Sequence, residues 1–176
     1  MWCRLGELLC AKSGLSYSKD NLEVKSNDTT RVLRGGNILE GEWVLKDDDV
    51  VIPSEFVKSD LQLKRGYYIT PAVTSWENLG KTALIEQDQE KVVVGGFVLM
   101  LCPFFDILNV SRYLYYLFQT SYFKQYCQSI TNKSGQAFYN LSRAKLMQMP
   151  VPLPPIEEMG RISDKLDNVL SSIMSR

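Results

Sequence analysis

The chain has 176 residues, 45% hydrophobic and 23% charged, and its 20 basic and 20 acidic side chains cancel to a net charge of zero. A chain of this size and balance can bury a core without cross-links, which excludes the disordered, collagen-like and disulfide-scaffold classes. It contains no histidine, so Ser-His-Asp and Cys-His catalysis are excluded and the commonest metal ligand is missing.

The first ten residues (MWCRLGELLC) have neither the long apolar core nor the cleavage site of an export signal. The four cysteines, Cys3, Cys10, Cys102 and Cys127, are far apart and form no CxxC pair. They are expected to be reduced, mostly buried thiols of a cytoplasmic protein. Residues 26–30 (SNDTT) read as a polar loop leading into a short strand at 31–33 that Gly35-Gly36 breaks. Further short strands are predicted at 43–46 and 50–53, and Pro53-Ser54 followed by Glu55 predicts a helix through Phe56 to about Asp60. Residues 67–70 alternate weakly and stop at Pro71. The apolar runs 81–85 and 91–94, separated by a turn at 87–90, predict a hairpin, and 97–102 continues the sheet after Gly95-Gly96. The apolar stretches 92–103 and 114–118 are too short to cross a bilayer.

The texture then changes. Ser111 can cap one helix running to about Ile130, dense in aromatics: Tyr113, Tyr115, Tyr116, Phe118, Tyr122, Phe123 and Tyr126. At helical spacing such rings are expected in the core, with stacking on single-stranded nucleic acid the alternative. Residues 131–136 (TNKSGQ) read as a loop, Ser142 as the cap of a short helix ending before Pro150, and 151–155 (VPLPP) as an extended linker. From 156 to 176, Met159, Ile162, Leu166, Val169 and Ile173 recur at the alternating spacing of a coiled-coil seam. The expected fold is α+β: a mixed or antiparallel twisted sheet with flanking helices over 1–150, the linker 151–155, and a coiled-coil-type helix over 156–176.

Charge is uneven along the chain. No acid occurs between Ile107 and Ile156, while Arg112, Lys124, Lys133, Arg143 and Lys145 lie there; acids gather at Glu40, Glu42, Asp47–Asp49, Glu55 and Asp60, then at Glu86, Asp88 and Glu90. One face is thereby expected to be able to meet phosphate. Reactive groups are scarce. There is no phosphate-binding GxxxxGK[ST] loop, and Pro154-Pro155 lies between Leu153 and Ile156 rather than the polar and aromatic neighbours of an amino-methyltransferase. Glu23-Val24-Lys25 matches half of a nuclease site, but Asp20 stands too close to be its partner. The run Asp47-Asp48-Asp49 reads as solvated surface rather than a cation site.

Five segments carry a resemblance. Trp2-x-x-Leu5-Gly6-Glu7 with Ser13-Gly14 comes first, then Val32-Leu33-Arg34-Gly35-Gly36-Asn37-Ile38 with Gly41. Leu79-Gly80-Lys81-Thr82-Ala83 with Gly95-Gly96 follows, then Gly135-Gln136-Ala137 with Asn140-Leu141-Ser142 and Leu146. Val151-Pro152-Leu153-Pro154-Pro155 with Glu157 or Glu158 and Arg161-Ile162 is last. In this order they resemble one recognition domain and hinge of the specificity subunit of type I restriction–modification systems, with Gly66-Tyr67-Tyr68-Ile69 departing from the usual Gly-Asp-Ile-Leu strand. Family members carry two recognition domains and two spacer helices, so the chain resembles half a subunit.

The resemblance implies a non-catalytic subunit that reads double-stranded DNA and docks methyltransferase subunits, and through them the restriction subunit. No cofactor is expected in the chain itself; S-adenosylmethionine, ATP and Mg²⁺ would belong to the partner subunits. The alternatives are a DNA-inactive half subunit that only docks methyltransferase or dimerises, and a standalone nuclease. Arg34 and Asn37 can pair with guanine and adenine, although a local turn role for Asn37 is the stronger reading. Thr74, Ser75, Trp76, Asn78 and Lys81 are the expected target-reading loop, with Lys133, Ser134 and Gln136 as further base or phosphate contacts. Met159, Ile162, Leu166, Val169 and Ile173 are expected to join two copies or dock a partner subunit, unless the helix packs back on its own domain.

Overall fold

The computed structural model describes residues 1–18, 20, 22, 27–134 and 137–174. The Glu23-Val24-Lys25 triplet and Gln136 lie outside these residues. In chain order the strands and helices are β1 (Trp2–Arg4), β2 (Leu9–Ser13), β3 (Thr29–Leu33), β4 (Val50–Pro53), β5 (Tyr68–Pro71), β6 (Val73–Thr74), β7 (Ala83–Leu84), β8 (Val92–Val94), β9 (Val98–Pro103), α1 (Leu108–Phe118), α2 (Ser121–Ser129), β10 (Thr131–Ser134), β11 (Phe138–Leu141), α3 (Arg143–Leu146), β12 (Pro150–Pro152) and α4 (Ile156–Met174). This is the α+β class expected from the sequence.

An antiparallel sheet in the order β2-β9-β5-β7 forms the centre. Residues 98 to 102 of β9 are all buried, because strand side chains alternate between faces and both faces here are covered. Leu99 and Leu101 join Tyr68, Leu114, Phe118 and Phe123 in a core shared with the helices. Val98, Met100 and Cys102 turn the other way, onto Leu33, Ile38 and Ile85. A second sheet, β4-β3-β8, pairs β3 with β8 in parallel, and its Val32, Ile52 and Val93 make a third cluster with Leu15.

Several local expectations are corrected. The runs at 81–85 and 91–94 form no hairpin: β7 pairs with β5 and β8 with β3. Neither run alternates, so each lies against a different partner strand with its apolar side chains covered. Residues 43–46 make only an isolated bridge, Ile38 to Trp43. The helix expected at 55–60 is two single 3₁₀ turns, Ser54–Phe56 and Ser59–Leu61, separated by extended Val57 and Lys58. The long aromatic helix breaks at Gln119-Thr120, where Thr120 becomes the cap of α2 by accepting from the Phe123 N–H. That break folds Phe123 back onto Phe118, with ring centres 4.7 Å apart. Tyr113, Phe118 and Phe123 are core, Tyr115 and Tyr126 pack against it, and Tyr122 is exposed; several hydroxyls bond to backbone at the rim: Tyr113 donates to Pro152 O (2.7 Å), Tyr122 to Pro150 O (2.7 Å) and Tyr126 to Lys145 O (3.0 Å).

Residues 131–134, read as loop, are strand β10 paired with β11, which in turn pairs with β6. Ser142 does cap α3, accepting from Lys145 N–H. The Pro-rich segment is extended, and Pro150–Pro152 pairs with β1 in register Trp2 to Pro152. Helix α4 then crosses α1 at Gly160, where a Cβ would stand 2.8 Å from Asn109 Nδ2. Among the described residues no helix is long and apolar enough to cross a membrane.

Candidate nucleic-acid interface

Turns that follow β2, β3 and β8, the start of β9, and β6 and β11 of the β10-β11-β6 sheet line a cleft of about 620 Å³. One wall is the turn after β3, with Arg34, Gly35 and Gly36; the other is β6 and its following turn, with Val73, Thr74, Ser75 and Asn78. Gly95, Gly96 and Phe97 join Leu15, Ser16 and Tyr17 below, and Phe138 of β11 completes the rim. The floor is tightly built. A Cβ on Gly14 would fall 2.2 Å from the Val94 carbonyl oxygen, so only glycine lets the chain leave β2 there.

The first wall is held from inside. Asn37 is 1% exposed; its Oδ1 accepts from Arg34 N–H (2.7 Å), and its amide donates to Val44 O (3.0 Å) and Asp49 Oδ1 (2.5 Å). Asp49 also receives Lys46 N–H at 2.8 Å and the Arg31 guanidinium at 3.3 Å. Burial alone would raise the Asp49 carboxyl, but these donors, led by Asn37, hold it below the usual carboxylate range. Asn37 is therefore spent on the fold and presents nothing to a ligand, correcting its assignment as a base reader. Arg34 does face the cleft, and its guanidinium is shared with Asp48 at 3.2 Å.

The second wall is assembled differently. Asn78 donates to Ser75 Oγ at 2.9 Å. The Ser75 hydroxyl hydrogen-bonds the Glu77 carboxyl, holding it below its ordinary range. These groups bond to one another within one turn rather than to the core. Thr74 is nearly buried. Trp76 is half-exposed and stands edge-on to Tyr139, with ring centres 5.1 Å apart. It is neither folded into the core nor part of the cleft lining.

Other expected residues lie elsewhere. Lys81 lines a separate hollow with Glu40, Gln119 and Lys124. Lys133 is opposite Tyr139 and Thr74 in the β10-β11-β6 sheet, so alternation puts it on the face away from Val73 and Phe138. Ser134 pairs with Phe138 at the end of the same hairpin. The acid-free stretch is not one open basic face either: Arg112 is bound by Asp164 (2.8 Å) and Asp167 of α4, and Lys124 lies 3.9 Å from Glu40. Lys133, Arg143 and Lys145 remain exposed, with Arg143 sharing a second, open groove with Arg4 and Gln148.

Sequence reasoning missed Phe97 and Phe138, 70% and 55% exposed at the cleft. It also missed Asn132 and Asn140, which are exposed and share the Val73 face of the three-stranded sheet. The Gly-Gly preceding Phe97 was the available signal, since a bulky apolar residue in a turn is out of place there.

The helix seam divides in two. Met159 is 2% exposed and belongs to the helix-facing core, Ile162 packs beside it, and Leu166 is half-buried. Val169 and Ile173 are exposed, as is Leu170 beside them.

The family profile described as "Type I restriction modification DNA specificity domain" matches residues 2–176. Among solved structures, the chain is similar to one from a type I R-M system, with 18% identity and a TM-score of 0.67 over 99% of this chain and 39% of that one. It is similar to the HsdS subunit from Thermoanaerobacter tengcongensis at 18% identity and TM-score 0.67, over 99% of this chain and 38% of that one. It is also similar to the type I S subunit from M. genitalium at 13% identity and TM-score 0.62, over 99% and 41%. The chain thus spans about two fifths of the length of these structures. No curated protein matches it.

Proposed function

The chain belongs to the type I restriction–modification DNA specificity family, and from that membership we propose that it reads base sequence in double-stranded DNA without altering it. The observation that carries this reading is the convergence of the Arg34–Gly36 and Thr74–Asn78 turns on one cleft that elements of three sheets support. Polar turns on a rigid support suit discrimination of base edges in a groove. Catalysis falls to partner subunits: methyltransferase subunits that would carry S-adenosylmethionine, and a restriction subunit that would use ATP and Mg²⁺. The chain works in the cytoplasm, where those partners and DNA meet.

One recognition domain supplies one half of a bipartite site. Val169, Leu170 and Ile173 of α4 are exposed and form the surface through which a second copy or a methyltransferase subunit would dock. The inner half, at Met159 and Ile162, is occupied by α1. The 19 residues of α4 span about 28 Å at 1.5 Å each, so α4 can set a fixed separation between two readers.

Selection of bound sequences from a randomised duplex pool tests the reading. Enrichment of a defined short motif is expected, with affinity falling steeply as salt rises. Uniform recovery of all sequences would contradict it.

A further inference from the structure

Polar groups alone do not account for the cleft. Phe97 and Phe138 are well exposed where they line it, and Val73 of β6 lines it too. The backbone of Phe97 is fixed: its carbonyl accepts from Ala72 N–H (2.8 Å) and Val73 N–H (3.2 Å), and Val98 N–H donates to Gly95 O (2.9 Å) across its turn. Phe138 is likewise fixed where β11 begins, its neighbour Tyr139 paired with Thr74. Two exposed rings on anchored backbone line one cleft with Asn78 and Arg34 and form with them a mixed apolar and polar surface. Water satisfies only its polar half.

Resting on the reading that this chain recognises duplex DNA, we propose that Phe97 and Phe138 read the 5-methyl group of thymine, making them specificity-determining residues of the cleft. In the major groove the thymine methyl is the one apolar protrusion on an unmodified base pair, and aromatic contact with it is a known form of direct readout. The adenine of the same pair offers N6 and N7, the edge that an asparagine amide matches, and Asn78 lines the same cleft. One A·T pair therefore meets the aromatic and the amide parts of the cleft together. Solvent and phosphate offer no apolar group, and the sugar methylenes are the same at every position, so only the thymine methyl distinguishes one base pair from another in this way.

Replacing thymine by uracil removes the methyl and nothing else, so the test leaves the protein untouched. The full chain is first used to select a motif from randomised duplexes. That motif is then synthesised with deoxyuridine at each thymine in turn, and binding is measured by fluorescence anisotropy. At one or two positions uracil is expected to weaken binding about four-fold, the effect of one buried methyl-sized group. Phe97→Ala and Phe138→Ala should weaken binding to the thymine duplex more than to the uracil duplex, so that the ratio between the two falls towards one. Both rings are solvent-exposed, so folding should survive, and circular dichroism verifies it.

A motif without thymine, a motif indifferent to uracil at every position, or alanine variants that keep the discrimination would each overturn the proposal while leaving DNA reading intact. Alanine variants with unchanged DNA binding but weakened self-association would assign the rings to an interface between copies, and overturn it too. Failure to enrich any motif would overturn the DNA reading itself, and this inference with it.

Discussion

The two walls of the cleft are built from similar residue types and do different work. On one, Arg34 to Asn37 supplies a guanidinium, glycines and an amide, and Asn37 and Asp49 bury their polar atoms against each other and against backbone. On the other, Ser75, Glu77 and Asn78 bond within their own turn and remain in reach of solvent. Residue type does not separate scaffold from reader; where the second hydrogen-bond partner lies does. A side chain whose partners are all buried is fixed, and one whose partner is its neighbour can exchange that partner for a base.

The largest expected effect lies on the first wall. Asp49→Ala removes the acceptor of the Lys46 N–H and one of two acceptors from both the Asn37 amide and the Arg31 guanidinium, and should cost about 3 kcal/mol of stability. Urea denaturation measures this, and a loss under about 1 kcal/mol would show the wall to be less dependent on Asp49. The same carboxylate gives a pH dependence. Because its pKa is lowered on folding, its contribution is complete above the unfolded value near 4 and is lost as pH falls through the lower folded value. The unaltered chain should therefore lose stability on acidification below about pH 4 more steeply than Asp49→Asn. Equal slopes would mean that Asp49 carries no linked proton.

Arg34 has both roles, so its removal should be milder. Its ion pair with Asp48 is exposed on both sides, and Arg34→Ala should cost less than about 1 kcal/mol of stability. If the guanidinium meets a phosphate, the log–log salt slope of DNA binding should fall by about one unit. Smallest in stability is the second wall, where Ser75→Ala with Asn78→Ala should change unfolding by about 0.5 kcal/mol or less. At the far end of the molecule, analytical ultracentrifugation should show self-association that Ile173→Glu abolishes and Met159→Ala does not specifically affect. A strict monomer at high concentration would reserve the end of α4 for another subunit.

The sequence disclosed most about pieces whose signals are local. The strands at 31–33, 50–53 and 67–70, the cap at Ser142, the extended Pro-rich segment and the C-terminal helix stand where their residues place them. The resemblance, carried on glycines and their spacing, identified the family. Pairing was hidden, because the buried runs at 81–85 and 91–94 have no alternation to declare a partner. Asn37 could be weighed but not decided: its fate depends on Asp49, twelve positions away and inside a run that reads as solvated surface. Lys81 was grouped with the reading loop by chain proximity and Lys133 by its place in the acid-free stretch, whereas the turn at Gly80 and strand alternation send them to other faces. The basic stretch misled for a related reason, since its Arg112 is answered by Asp164 and Asp167 more than fifty residues later.

The most direct test compares the motif selected from a randomised duplex pool by the unaltered chain with that selected by the Ser75→Ala, Asn78→Ala double variant. If the cleft reads bases, the variant should relax or change its preference at one or two positions while its affinity for unrelated duplex stays the same. An identical motif from both proteins would contradict the account and place the reading surface elsewhere on the molecule.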